Sequence, residues 1–224
     1  MSCWAIISDI HSNYRALETV LAAVEKEKPV KIICLGDIVG YGAEPVKTLE
    51  LLKKRSISSL QGNHEAVVVG KLSAAGFNFT AQKTLSWTRE RLSQENIAYL
   101  SELPEKIVTD GCYFVHGAPQ EPLRRYLLTE KKVMKSMQKL RSRFLITGHT
   151  HEVKAVEIVG NESREISVVP GRAYRLKENH RYYFNPGSVG QPRDGDPRPS
   201  FMLLDFQTDR VKWIRVRRSV FPGN

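Results

Sequence analysis

Histidine is scarce in this chain, six in 224 residues, yet two of the six stand one residue apart in "FLITGHTHEVK", residues 144 to 154. His149 and His151 follow an apolar run, Phe144, Leu145 and Ile146, that reads as a buried strand ending at Gly148. The same arrangement recurs along the chain, always with metal-capable side chains just past a short apolar run. "CWAIIS" leads to Asp9 and His11, "KIICLG" to Asp37, "ISSL" to Asn63 and His64, and "YFV" to His116. Imidazole, carboxylate and one amide oxygen, without thiolate, suit manganese, iron, zinc or similar divalent ions, and a carboxylate between two ions can bridge them. Asp9, His11, Asp37, Asn63, His116, His149 and His151 together exceed what one tetrahedral zinc requires. Two ions about 3.5–4 Å apart fit better, a spacing shared by phosphatases and nucleases. Gly36, Gly62, Gly117 and Gly148 flank these positions and let the backbone turn sharply.

The elements that must carry these residues follow from periodicity. After "CWAIIS", apolar Leu17, Val20, Leu21 and Val24 recur at helical spacing and the helix is ended by Pro29. "KIICLG" is a second buried strand. A second helix opens at Glu44 and Pro45, runs through Val46, Leu49 and Leu52, and finishes in the basic cluster Lys53, Lys54, Arg55. "ISSL" is a third strand. This rhythm implies βαβ units and a parallel sheet. In such sheets the loops after the carboxyl ends of the strands line the ligand crevice, so five of the six histidines are directed to one place. From about 66 to 103 a helical excursion interrupts the rhythm, divided by an N-cap at Ser93 and closed by Pro104. Beyond it "KIVT", "YFVH", "FLIT", "KAVEIV", "EISVV", "RYYF", "SFMLLDF" and "VKWIRV" read as strands. So many late strands imply a second sheet packed on the first, with helices outside.

Composition bounds the class. A chain of 25.4 kDa can bury one substantial core, and a single domain over residues 1–224 is expected. Hydrophobic content of 41% and charged content of 26% are ordinary for a soluble globular protein. No apolar run approaches a membrane span, and "MSCWAIISDIHSN" lacks the basic and small-residue marks of a signal peptide, so a cytoplasmic protein without a membrane partner is expected. Cys3, Cys34 and Cys112 are odd in number and suit reduced thiols better than disulfides. The net charge of +10 favours anionic partners: small phosphorylated molecules, nucleic acid or anionic lipid.

Taken in order, Asp9-Ile10-His11, Gly36-Asp37, Gly62-Asn63-His64-Glu65, His116 and Gly148-His149-Thr150-His151 resemble the motifs of the calcineurin-like metallophosphoesterases. The resemblance runs from about residue 4 to 206, because "NPGSVGQPRDGDPRPSFMLLDF" is similar to the tail of the compact prokaryotic, phosphodiesterase-type members. It implies an α/β fold of the four-layer αββα sandwich type, two mixed β-sheets face to face and flanked by helices. It also implies Asp9, His11, Asp37 and His151 around one divalent ion, and Asp37, Asn63, His116 and His149 around a second. Manganese comes first for this set, with iron, zinc, nickel or magnesium as alternatives. Two such ions against two carboxylates leave a net charge of about +2, which attracts phosphate and lowers the pKa of a bridging water, so that hydroxide can attack phosphorus in line. The resemblance gives His64 the role of protonating the leaving oxygen or stabilising charge there. Glu65 reads as a solvated or helix-start charge.

Other features are less specific. Residues 123–143 carry Arg124, Arg125, Lys131, Lys132, Lys135, Lys139, Arg141 and Arg143 against Glu130 alone. On a helix Lys131, Lys135 and Lys139 would form a stripe, solvated or tracking a polyanion, with Val133, Met137 and Leu140 facing the core. Arg193, and Arg172 or Arg175, are candidates to clamp a second phosphate of the substrate, or are simply surface arginines. Tyr41 and Trp87 could stack on a base or simply line a rim, and His180 falls outside every motif as a surface residue. Where phosphoprotein phosphatases carry an Arg-Gly step after Gly-Asp, this chain has Val39-Gly40-Tyr41-Gly42, which disfavours a protein phosphatase. The expected activity is therefore hydrolysis of small phosphorylated compounds, nucleotides included, by a phosphodiesterase or broad phosphoesterase. The alternatives are a metal-dependent nuclease or nucleic-acid binder, and a catalytically silent scaffold on the same fold.

Overall fold

The computed structural model describes residues 3–217. Its elements run β1 (Cys3–Ile7), α1 (Tyr14–Lys26), β2 (Lys31–Cys34), α2 (Pro45–Lys54), β3 (Ser58–Ser59), α3 (Asn63–Val68), a 3-10 turn (Ala74–Gly76), α4 (Phe79–Arg91), α5 (Gln94–Glu102), β4 (Lys106–Thr109), β5 (Cys112–Val115), α6 (Glu130–Met137), β6 (Phe144–Thr147), β7 (Val153–Val159), β8 (Glu162–Glu165), β9 (Ala173–Arg175), β10 (Arg181–Pro186), β11 (Ser200–Asp205) and β12 (Arg210–Arg215). The strands form two six-stranded sheets, ordered β3-β2-β1-β11-β12-β9 and β4-β5-β6-β10-β7-β8. Both are mixed: β1, β2 and β3 pair in parallel, as do β5, β6 and β10, and antiparallel strands complete each sheet.

Alternation along the strands sets the layers. Successive side chains of β1 point to opposite faces, and both sets are buried. Trp4 and Ile6 join Ile33, Phe114, Ile146, Phe184, Met202 and Trp213 in an aromatic-rich core between the sheets. Ala5 and Ile7, on the other face, pack with Leu17 and Val20 of α1, Leu49 and Leu52 of α2, and Leu85 and Leu100 of α4 and α5. The second sheet turns Leu145, Val156 and Tyr183 outward against Val133 and Met137 of α6. This is the expected αββα sandwich, with five helices against one sheet and one against the other. Each large apolar side chain buried in these layers contributes roughly 1.5–3 kcal/mol of transfer free energy.

Helix α1 starts where Asn13 accepts a hydrogen bond from the Ala16 N–H, and α5 starts at the expected Ser93 cap. The excursion from 66 to 103 is less helical than its periodicity implies. Between α3 and α4 lies a loop with Gly70 at a positive φ and only one 3-10 turn, and α4 begins after an Asn78 cap. The expected strand "EISVV" is also displaced, to β8 at Glu162–Glu165. Val159 pairs with Glu162, so the two-residue turn Gly160-Asn161 fixes the register, and the apolar Ile166 and Val168 follow the strand instead of forming it. Strand β9, short and largely exposed, carries no apolar alternation that would reveal it. Among the described residues no helix is long and apolar enough to cross a membrane, and Cys3, Cys34 and Cys112 are free.

Candidate metal centre and active site

Each expected ligand stands just past a strand, from β1, β2 and β3 of one sheet and from β5 and β6 of the other. The backbone there is unusual. Asp9, His11, Asp37, His149 and His151 all adopt positive φ, between 50° and 67°, a region that residues with a side chain rarely enter. Such conformations persist only where surrounding structure holds them, and their clustering at one edge marks a site. The loops are packed too closely for side chains at some positions. A Cβ at Gly148 would collide with Ser8 Oγ, and one at Gly40, itself at positive φ, would collide with His64 Nδ1.

The side chains converge in two buried groups that share Asp37: Asp9, His11, Asp37 and His151, and Asp37, His116 and His149, the ligand atoms of each lying within 4.8 Å of one another. Asn63 joins the second group, its Oδ1 lying 2.9 Å from His116 Nε2. Three imidazoles are aimed by backbone carbonyls: His11 Nδ1 lies 3.2 Å from Val39 O, His116 Nδ1 2.9 Å from Leu35 O, and His151 Nδ1 2.7 Å from Gln191 O. A ring that donates from Nδ1 turns a lone pair inward at Nε2. His11 Nε2 and His151 Nε2 then face each other at 3.1 Å, and His151 Nε2 lies 3.3 Å from Asp9 Oδ1. Burial, with His64 beside it, holds His11 well below the ordinary histidine range, so a proton on that ring does not supply the missing positive charge. A divalent cation would.

The second group makes the same demand. His116 Nε2 meets His149 Nδ1 at 3.0 Å and Asp37 Oδ2 at 3.3 Å, two acceptors for at most one proton, with the side-chain amide of Asn63 beside them. Burial would lower His116, but the carboxylates around it, Asp37 first, lift it to about 9. Burial and the neighbouring His116 drop His149 to about 3. Burial works to raise Asp37, yet His116, His64 and His11 hold its carboxyl well below the usual range. The opposed shifts of His116 and Asp37 mark the place where the donor set accommodates positive charge.

His64 is buried beside this pair, its Nε2 4.0 Å from Asp37 Oδ2 and its ring 4.6 Å from that of His11. Burial lowers its pKa, partly opposed by Asp37. Glu65 stands in the first turn of α3, as a helix-start charge does, but it is not solvated: it is 0% exposed, and its carboxylate accepts the backbone N–H groups of Asp37, Ile38, Val39 and Gly62 at 2.8–3.0 Å. Burial and then Asp37 push this carboxyl up to about 7. The end of β10, with the loop after it, is a second support that sequence reasoning missed. Ser188 Oγ donates to Asp9 O, and Asn185 Nδ2 donates to Gly148 O and Thr150 Oγ1. The run Asn185-Pro186-Gly187-Ser188, dense in turn formers, was the available signal.

A cavity of about 520 Å³ opens onto Asp37, Asn63, His64, His149 and His151. Its walls come from Tyr41, from Leu72, Phe77 and Asn78 of the excursion, and from Leu123, Arg124, Tyr126 and Arg193. Tyr126, 40% exposed, stacks on His149 with ring centroids 3.7 Å apart, and Phe77 meets His64 edge-on at 5.6 Å. Neither Tyr126 nor Arg124 was singled out for this cavity by sequence reasoning. Arg193 stands at the rim, its guanidinium 2.7 Å from Gln191 Oε1. Other expectations fall away. Arg172 stacks on Tyr174 and Arg175 lies in β9, both outside the cavity, while Trp87 lies under the Arg91 guanidinium at 3.8 Å. His180 is half-buried and bonded to Glu157 at 2.8 Å, so it is not a bare surface residue.

Comparison with known proteins agrees with this geometry. Residues 3–209 match the family model described as the calcineurin-like phosphoesterase superfamily domain. An uncharacterized protein of Methanocaldococcus jannaschii is 35% identical over 223 residues, covering 96% of this chain and 88% of its own. The crystal structure of a metallophosphoesterase from Sphaerobacter thermophilus superposes with a TM-score of 0.82 at 33% identity, over 97% of this chain and 89% of that one. A hypothetical protein from Pyrococcus horikoshii shares the fold at 21% identity, with a TM-score of 0.80 over 98% and 90% of the two chains. The motif residues, the αββα sandwich and the family match agree, and the chain belongs to the calcineurin-like phosphoesterase superfamily, a family of metal-dependent phosphoesterases.

Proposed function

We propose that this protein is a dinuclear phosphodiesterase acting on small phosphorylated compounds, nucleotides foremost, and that residues 1–224 act as one domain. Asp9, His11, Asp37 and His151 would hold one divalent ion and Asp37, Asn63, His116 and His149 the other, with manganese the first choice of metal. The observation that carries this reading is Asp37 shared between two buried groups whose facing acceptors call for positive charge. When bound, two such ions supply Lewis acidity toward phosphoryl oxygens and acidify a bound water.

The chain's own residues account for the rest. His64, at the cavity floor beside Asp37, presents an imidazole N–H to the leaving oxygen. Arg124 and Arg193 at the rim orient phosphate. A cavity of about 520 Å³ leaves room beyond a phosphate for an ester substituent, and the rings of Tyr126, Phe77 and Tyr41 along its walls suit a flat aromatic one such as a nucleobase.

Turnover of bis-p-nitrophenyl phosphate beside p-nitrophenyl phosphate, on metal-stripped protein resupplied with Mn, Ni, Zn or Mg in turn, tests the reading. We expect metal-dependent hydrolysis that favours the diester. Asp37→Ala should abolish it with loss of bound metal, and His64→Ala should lower kcat by roughly 10²–10⁴-fold with metal retained. Unchanged turnover in both variants would sink the site assignment.

A further inference from the structure

The active-site cavity uses Arg124 and Tyr126 of the basic segment but leaves its lysines unemployed. They line a second cavity of about 360 Å³, formed by Gln120, Arg125, Lys132, Lys135, Ser136 and Lys139. Four of these six are cationic and none is acidic. Arg125 pairs with Glu121, but among the described residues Lys132, Lys135 and Lys139 meet no carboxylate at ion-pair distance. Like charges gathered in one concavity repel one another and focus a positive potential into it.

The helix explains the grouping. Lys132, Lys135 and Ser136 share a face of α6, beside the buried face of Val133 and Met137, and the turn after Met137 brings Lys139 to the same cavity. Lys131, which sequence periodicity placed in a stripe with Lys135 and Lys139, does not line it. Ser136, itself buried, donates from Oγ to Gln120 Oε1 at 3.1 Å, which leaves the Gln120 amide N–H groups available to an anion.

We propose that this cavity is an anion site, separate from the metal centre, for a chain of two or more phosphates. A single phosphate would be small for the space, and its charge of about −2 near neutral pH would not balance the three lysines and Arg125. The two cavities draw on one stretch of chain: Arg124 and Tyr126 line the first, and Arg125 between them lines the second. The phosphates could belong to the extended tail of a substrate or to a free polyphosphate, and the chemistry of recognition is the same.

Acetylation footprinting of the full metal-loaded chain, with and without sodium tripolyphosphate at fixed free metal concentration, tests the site residue by residue. Lys132, Lys135 and Lys139 should be protected and Lys131, on the same helix, should not. The double variant Lys132→Ala with Lys135→Ala should bind tripolyphosphate roughly tenfold more weakly, and the wild-type affinity should fall steeply with salt. Its turnover of bis-p-nitrophenyl phosphate, which has no further phosphates, should equal that of the wild type, so failure here is distinguishable from failure of the metal centre. A raised KM confined to phosphate-rich substrates would identify the ligand as a substrate tail, and an altered effect of tripolyphosphate on diester turnover would identify a free ligand. Equal protection of all four lysines, no protection, or undiminished binding by the variant would overturn the proposal.

Discussion

Glu65 gives both carboxylate oxygens to four backbone N–H groups, three of them on the consecutive residues Asp37, Ile38 and Val39. It therefore fixes the turn on which the shared ligand Asp37 stands, and Asp37 Oδ1 in turn accepts the His64 N–H at 3.0 Å. Glu65→Gln would replace one acceptor oxygen by an amide that faces N–H donors. Leaving a buried donor unpaired costs about 1–3 kcal/mol. The variant should melt lower, retain less metal per chain, and lose kcat more than it raises KM, because Asp37 is displaced while the cavity walls stay. Melting and metal content indistinguishable from wild type would show that Glu65 does not position the loop.

At the scale of elements, the end of β10 and the loop after it tie the candidate ligand turns to β12 of the first sheet. Ser188 and Asn185 grip the turns after β1 and β6, and farther along Arg215 of β12 pairs with Asp194 while Arg198 pairs with Asp196 at 2.6 Å. Hydrogen bonding from Arg198 brings the Asp196 carboxyl from 3.8 to about 2. A depressed folded value stabilises above the unfolded one, so this contribution is present above pH about 4 and disappears as pH falls through about 2. The pair is solvent-exposed, and screening limits its worth to about 1 kcal/mol or less. Asp196→Asn should lower urea stability at pH 7 by no more than that, and the gap from wild type should close near pH 2; a gap that persists there would assign the effect to something other than the charge. The ends of β1, β2, β3, β5 and β6 were legible in the sequence, because a buried parallel strand is a continuous apolar run and the polar residue after it has one edge to go to. Glu65 was not legible, since nothing local distinguishes a buried acceptor of backbone N–H groups from a solvated helix-start charge. Nor was the shift of β8, where a two-residue turn outranked the apolar run, or the placement of Arg172 and Arg175, which depends on long-range pairing.

The whole molecule is joined at its candidate metal centre. Asp9, His11 and Asp37 follow strands of one sheet and Asn63 opens α3 after another of its strands, while His116, His149 and His151 follow strands of the other sheet, so an ion held by either group would span the interface between the sheets. Each group gathers buried carboxylate and imidazole acceptors that exist together only in the folded state, and an ion that binds this state alone stabilises it by RT ln(1 + [L]/Kd). That is about 4 kcal/mol at a thousandfold excess over Kd, and a domain of this size gains about 2–4 °C in Tm per kcal/mol. Removing both ions by chelation should therefore lower Tm by roughly 10 °C or more, and resupplying a divalent ion should restore it in a concentration-dependent way. His151→Ala should forfeit about half of that response, because it empties one group and leaves Asp37, His116 and His149 intact, whereas Asp37→Ala should forfeit nearly all of it. If the two variants respond alike, the centre binds as a single site and Asp37 is not its bridge.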